Sequence, residues 1–216
     1  MTRDLRAYYD QQYHFGEDVE RPNLRRIWNA LRHLEPLRGA SLLDLGCGVG
    51  WGLRVASERG GATPCVGLDF AGAAVSRARR LFPAAGWVQG DGLALPFPDA
   101  SFDRVFSFGS MEHFPSVTGG FSELRRVLRP GGLAVSVVPN FWVRTEQPRE
   151  KRATEREWRR IVGGAGLQVV RVDADHGPAI FKNRRPLRVA MRIALRIISH
   201  LPGLRYQHVL VMRRPA

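Results

Sequence analysis

The run Leu42-Leu43-Asp44-Leu45-Gly46-Cys47-Gly48-Val49-Gly50 constrains this chain more than any other stretch. Apolar residues that suit a parallel strand covered on both faces give way to glycines at every second position, where the backbone can turn tightly and approach a ligand. Trp51 to Arg59 then reads as a helix whose N-terminus faces back to the turn, with free N–H groups and the positive dipole end presented there. About twenty residues on, a second apolar run (Cys65-Val66-Gly67-Leu68) ends on Asp69, a spacing that suits a carboxylate bonding ribose hydroxyls. An α/β fold with a nucleoside at the C-terminal ends of parallel strands follows from this pattern.

Glycine spacing separates two nucleoside readings. A dinucleotide fingerprint needs its third glycine at the position of Trp51, because helix and strand pack closely there around a pyrophosphate. In this chain the third glycine is Gly50. Four further motifs follow in order: Gly90-Asp91-Gly92, the Pro-rich run Leu95 to Asp103, Ser110-Met111-Glu112-His113-Phe114, and Leu128-Arg129-Pro130-Gly131-Gly132. In order and spacing, the stretch from about residue 40 to 140 resembles the class I S-adenosylmethionine (SAM) methyltransferases, in the small-molecule branch that includes the ubiquinone and menaquinone methyltransferases.

The resemblance implies a Rossmann-like, seven-stranded, mostly parallel sheet with helices on both faces and an antiparallel last strand. It implies SAM as cofactor and S-adenosylhomocysteine as product, with no metal. The residues it assigns to the cofactor are Asp44, Gly46, Cys47, Gly48, Gly50, Asp69, Phe70, Asp91, Gly92, Leu93, Phe108, Gly109 and His113, with Tyr13 from the N-terminal segment. Asp69 would take the ribose hydroxyls, Phe70 the adenine face and Asp91 the adenine amino group, with the N–H of Gly92 or Leu93 toward the ring. Asp44 suits the methionine ammonium or the bracing of the glycine turn. Near the expected methyl position His113 titrates around neutral pH and is the candidate general base, with Glu112 the second choice; otherwise His113 only shapes the pocket.

At 216 residues the chain suits one domain, and no apolar run reaches the length of a membrane span. The charged N-terminus lacks a signal-peptide core, so the expectation is a cytoplasmic protein. Residues 1–21 hold Tyr8, Tyr9, Tyr13, His14 and Phe15 without core periodicity, and read as a lid over the cofactor or as a frayed tail. The formal charge is +13, and about eleven of those excess positive charges fall from Arg144 onward. Such asymmetry marks either a soluble arginine-rich surface or an anionic partner.

Between the last two strands the sequence inserts residues 174–205, within which Arg188, Arg192 and Arg196 form one stripe on an otherwise apolar helix, Arg185 to Leu201. That helix would pack on its own domain, pair two subunits, wall an acceptor pocket or contact a membrane peripherally. No Asn-Pro-Pro-Tyr-like run follows the fourth strand, which disfavours a nucleic-acid substrate. The leading expectation is methylation of a small, apolar, isoprenoid-like acceptor at oxygen, nitrogen or carbon. The alternative is a SAM-fold binding protein whose Arg-rich half contacts RNA or an anionic membrane.

Overall fold

The computed structural model describes residues 3–15, 22–143, 149–175 and 205–216. Its seven strands are β1 (Leu42–Leu45), β2 (Cys65–Asp69), β3 (Gly86–Gln89), β4 (Phe102–Phe108), β5 (Leu128–Pro139), β6 (Gln168–Asp175) and β7 (Gln207–Arg213). They form one sheet in the order β3-β2-β1-β4-β5-β7-β6. The first five pair in parallel, and β7 runs antiparallel to both β5 and β6. Strand order reverses between β1 and β4, so a crevice opens where the glycine turn leaves β1.

Helices cover both faces. On one, α2 (Leu24–Leu31), α3 (Trp51–Gly60) and α4 (Gly72–Leu81) pack Leu31, Leu53 and Val75 against Leu42, Phe106 and Val211. On the other, α5 (Val117–Val127) and α6 (Glu155–Gly164) pack Phe121, Leu124 and Trp158 against Leu43, Val105 and Leu210. All four residues of β1 are buried, as a strand at the centre of a two-sided sheet requires. A capping box stands at Thr154, with Glu157 accepting the Thr154 backbone N–H at 2.8 Å. Asn23 caps α2, its side chain accepting from the Arg26 N–H.

The Pro-rich run works as a fastener. Arg126 on α5 donates to the carbonyls of Leu95 and Phe97 and to Asp99 and Glu123, while Glu123 accepts the Leu95 N–H. Asp103 accepts from the Ser41 hydroxyl and N–H and pairs with Arg129, which holds its carboxyl low, at about 2, against the opposing effect of burial. β5 begins at Leu128, earlier than the Leu133 that the Pro-Gly-Gly turn suggests, because Leu128 pairs with Phe102 before the register shifts.

One difference concerns the N-terminal end. The N-terminal segment contains a regular helix, α1 (Arg3–Phe15), despite its lack of an aliphatic stripe. Leu5 is buried, and the remaining attachments are polar or aromatic: Asp10 accepts the Ala73 N–H at 3.1 Å, and the Arg6 guanidinium lies 4.5 Å from the Phe70 ring centre. Ala71 at the N-cap of α4 brings no side-chain bond of its own, so Asp10 supplies a cap from outside the helix. The inserted helix Arg185 to Leu201 lies outside the described residues.

Much of the described positive charge serves the fold. Arg26 bonds Asp175 in two places, Arg104 donates to the Leu34 carbonyl, and Arg214 donates to the carbonyls of Arg125, Arg126 and Leu128. His208 on β7 is fully buried with neither ring nitrogen bonded, and burial, aided by Arg205 and opposed by Glu155, pushes its pKa down to about 4. The unfolded chain takes this proton near 6.5, so the group's effect is neutral above that value and destabilising as pH falls toward 4. His208→Leu should therefore be more stable than the wild type by about 1 kcal/mol at pH 7, with the gap widening by on the order of 2 kcal/mol by pH 4.5. Urea unfolding of both proteins across that range checks this; a gap that stays constant with pH contradicts it.

Candidate active site

The glycine turn is shaped by what lies against it. Gly46, Gly48 and Gly50 all have positive φ, at 75°, 52° and 90°, a conformation that side chains disfavour. Added carbons would also collide: one on Gly46 with the Ser110 hydroxyl, one on Gly50 with the Trp87 ring. Ser110 donates to the Leu45 carbonyl at 3.1 Å, fastening the end of β4 to the end of β1. The Asp69 carboxylate accepts the Gly48 N–H at 2.8 Å through Oδ2 and the Ala71 N–H at 2.9 Å through Oδ1. Each oxygen keeps a lone pair, so two ribose hydroxyls can still donate to it.

Asp44 sits under the turn rather than in it. Its carboxyl is fully buried against Gly52, where any side chain on residue 52 would meet Oδ2. Burial, reinforced by the charge of Asp69, raises its pKa to about 8, so it is largely neutral at physiological pH. Burial also lifts the Asp69 carboxyl, against the backbone N–H groups of Ala71, Gly48 and Phe70, which favour its charged form.

A cleft of about 640 Å³, counting its open mouth, lies beside this turn. It brings together Tyr13, Gly46, Asp69, Phe70, Gly92, Phe108, Gly109 and His113 from the residues expected at the site, and adds Tyr9, Ser110 and Phe114. Tyr13 covers the turn, with its hydroxyl 2.9 Å from where a Cβ on Gly48 would stand. Asp44, Cys47, Gly48, Gly50, Asp91 and Leu93 are not among the residues that line it. The Leu93 N–H donates to Asp91 Oδ1 at 2.9 Å, closing the Asp-Gly turn. Cys47 is buried, its thiol near the Gly48 carbonyl and its pKa pushed well up by burial.

His113 and Glu112 lie in a short 3-10 turn, Met111–His113, at the far wall. The His113 ring meets that of Tyr9 edge to face at 6.0 Å. Glu112 lies behind Gly109, its Oε1 3.8 Å from where a Cβ there would stand, and its Oε2 is buried with no hydrogen-bond partner. Burial, with Glu150 adding to it, raises the Glu112 pKa to about 8. Tyr9 is raised as well, by burial first and then by the charge of Glu112, and its hydroxyl also lacks a partner. No cluster of His, Cys, Asp and Glu among the described residues could hold a metal ion.

Tyr9, Asp10 and Gly52 escape a reading of motifs. Tyr9 and Asp10 act through a helix distant in sequence, and Gly52 reads as an unremarkable helix residue. Its packing against Asp44 is visible only in three dimensions.

A reversing parallel sheet, an alternating glycine turn and a carboxylate beside that turn are the features by which the sequence resembles the class I SAM-dependent methyltransferases. Residues 43–136 match the family model described as a methyltransferase domain, and the chain is similar to class I methyltransferases in fold and motif. The chain is 36% identical over 145 residues to a sterol 24-C-methyltransferase of Gibberella zeae, covering 62% of this chain and 38% of that protein. It is 35% identical over 128 residues to the 2-methyl-6-phytyl-1,4-hydroquinone methyltransferase of a Synechocystis strain, covering 53% of this chain and 39% of that protein. The chain thus spans about two fifths of the length of these curated relatives.

Solved structures show the same fold. A geranyl diphosphate C-methyltransferase from Streptomyces coelicolor superposes with a TM-score of 0.72 at 16% identity, over 98% of this chain and 97% of that one. A methyltransferase solved with the Haloferax volcanii Trm112 activator gives 0.76 at 24% identity, over the whole of both chains.

The close contact beneath the turn has a measurable sign. In an ordinary helix Gly→Ala stabilises by about 1 kcal/mol. Gly52→Ala should instead lower stability by about 1–3 kcal/mol, because the new methyl group displaces the Asp44 carboxyl from a packed interior. Thermal unfolding decides between the two signs, and a raised Tm rules out the packing argument.

Proposed function

We propose that this protein transfers the methyl group of SAM to a small, largely apolar organic acceptor. The observation that carries the reading is the cleft itself, in which the ribose-ready Asp69 carboxylate and an aromatic wall of Tyr9, Phe108 and Phe114 share one space. Bound SAM would supply an activated methyl group on a sulfonium. The chain's own residues would hold and shield it. The Gly46–Gly50 turn gives close backbone approach, Asp69 the ribose site, and Phe70 an apolar face already stacked by Arg6. The first 21 residues act as a lid, of which α1, carrying Tyr9 and Tyr13, excludes water from the reacting centre.

Acceptor chemistry follows from the far wall. Phe108 and Phe114 favour an apolar body, and the relatives named above act on a sterol, a phytyl hydroquinone and geranyl diphosphate. His113, which lines the cleft, would take a proton from the acceptor. Glu112, raised to about 8, is largely neutral at pH 7 and stands behind that wall as a hydrogen-bond donor. The binding-protein alternative has less support, since Arg205 and Arg214 of the Arg-rich half bond inside the fold.

Two measurements test this reading. In calorimetry, Asp69→Ala should weaken SAM binding by about two orders of magnitude, the loss of charge-assisted bonds to both hydroxyls. Binding of NAD without binding of SAM overturns the cofactor assignment. With labelled SAM and a panel of prenylated phenols, sterols and prenyl diphosphates, His113→Ala should lower turnover by about 100-fold or more while SAM affinity holds. Unchanged turnover leaves His113 with no role in proton transfer.

A further inference from the structure

Beside the cleft the chain displays side chains that neither the fold nor the proposed chemistry uses. Phe141 and Trp142, just past the end of β5, are 54% and 37% exposed. They are held outward by a satisfied polar anchor. Asn140 is buried, its side chain donates to the Arg205 carbonyl at 2.8 Å and accepts the Phe141 N–H at 2.8 Å, and its backbone N–H bonds the Tyr206 carbonyl. Trp142 leans edge to face on Tyr206 at 5.9 Å. Two exposed aromatic rings on so firm a base are not a fraying loop.

Positive charge surrounds them. Arg149, Lys151, Arg152 and Arg156 are all exposed, and Arg152 reaches the Val143 carbonyl at 2.9 Å, next to Trp142. The Lys151 N–H bonds the Glu112 carbonyl at 2.8 Å, which joins this rim directly to the wall of the cleft. Of the nearby acids, Glu155 pairs with Arg159 and Arg205 and Glu157 caps α6, while Glu150 lies within the rim between Arg149 and Lys151. The chain leaves the sheet at Asp175 and re-enters it at Gln207, at the same end of the sheet as Pro139, and the sequence of residues 176–204 contains Lys182, Arg184, Arg185, Arg188, Arg192 and Arg196 with no Asp or Glu.

We propose that this rim docks on the surface of an anionic membrane, with Phe141 and Trp142 entering the headgroup region and Arg149, Lys151 and Arg152 meeting lipid phosphates. Aromatic rings at the interface and flanking cations are the two elements of peripheral lipid binding, and neither holds firmly alone. The cleft then opens toward a phase in which an apolar acceptor is dissolved. The inference stands on the rim's geometry and charge, and is independent of which acceptor is methylated.

Flotation with vesicles of phosphatidylcholine, with and without phosphatidylglycerol, tests it without SAM or acceptor, so its failure leaves the methyl-transfer reading standing. The wild type should associate with the mixed vesicles and at least about tenfold less with phosphatidylcholine alone, and the association should weaken in high salt. Phe141→Ser with Trp142→Ser, and separately Arg149→Glu with Lys151→Glu, should each reduce association about tenfold with SAM affinity unchanged. Brominated lipids should quench wild-type fluorescence more than that of Trp142→Phe, a variant that keeps the aromatic contact. No association, equal association with both vesicles, wild-type association of the double serine variant, or preferential binding of single-stranded RNA each overturns the proposal.

Discussion

The cleft depends on one carboxylate. Asp69, at the end of β2, bonds the N–H of Gly48 in the β1 turn and the N–H of Ala71 at the start of α4, so a single side chain ties three segments at the switch point of the sheet. Its burial would be unfavourable without those donors, and the donors would be unsatisfied without it. Once they are joined, the turn has one conformation available. The left-handed glycines, the approach of Ser110 and the cover provided by Tyr13 all refer to that conformation.

Below this knot lies a second carboxyl whose character is opposite. Asp44 is deep, pressed against Gly52, and largely neutral, whereas Asp69 has two backbone donors and space for more. The pair shows how the neighbouring ends of β1 and β2 can hold one carboxyl packed beneath the turn and another that lines the cleft. Glu112 resembles Asp44 in being raised by burial, but it borders a cavity and keeps one oxygen unpartnered.

The sheet and most of the turn were legible in the sequence because both rest on local rules: apolar runs for buried strands, alternating glycines for the bend, Thr154 and Glu157 for a cap. Asp69 was legible from spacing alone. The contributions of Tyr9 and Asp10 were not, because α1 is held by aromatic and polar contacts to distant elements and lacks the aliphatic period that marks a packed helix. Gly52 was hidden for a related reason, since its constraint comes from a strand eight residues upstream. Asp91 and Leu93 show the converse, a motif whose residues bond each other and are not among those that line the cleft. The inserted helix, the most distinctive expectation from the sequence, lies outside the described residues.

Asp10 closes a gap that α4 leaves open. Because the acceptor for the Ala73 N–H belongs to α1, detaching α1 exposes an uncapped helix end, at a cost of about 1 kcal/mol that is the same whatever the cleft contains. The link between α1 and α4 is therefore the same whether or not the cleft holds a ligand. If α1 opens as the proposed lid, each opening uncaps α4, and the tempo of exchange would be set partly by a helix end remote from the transferred atom.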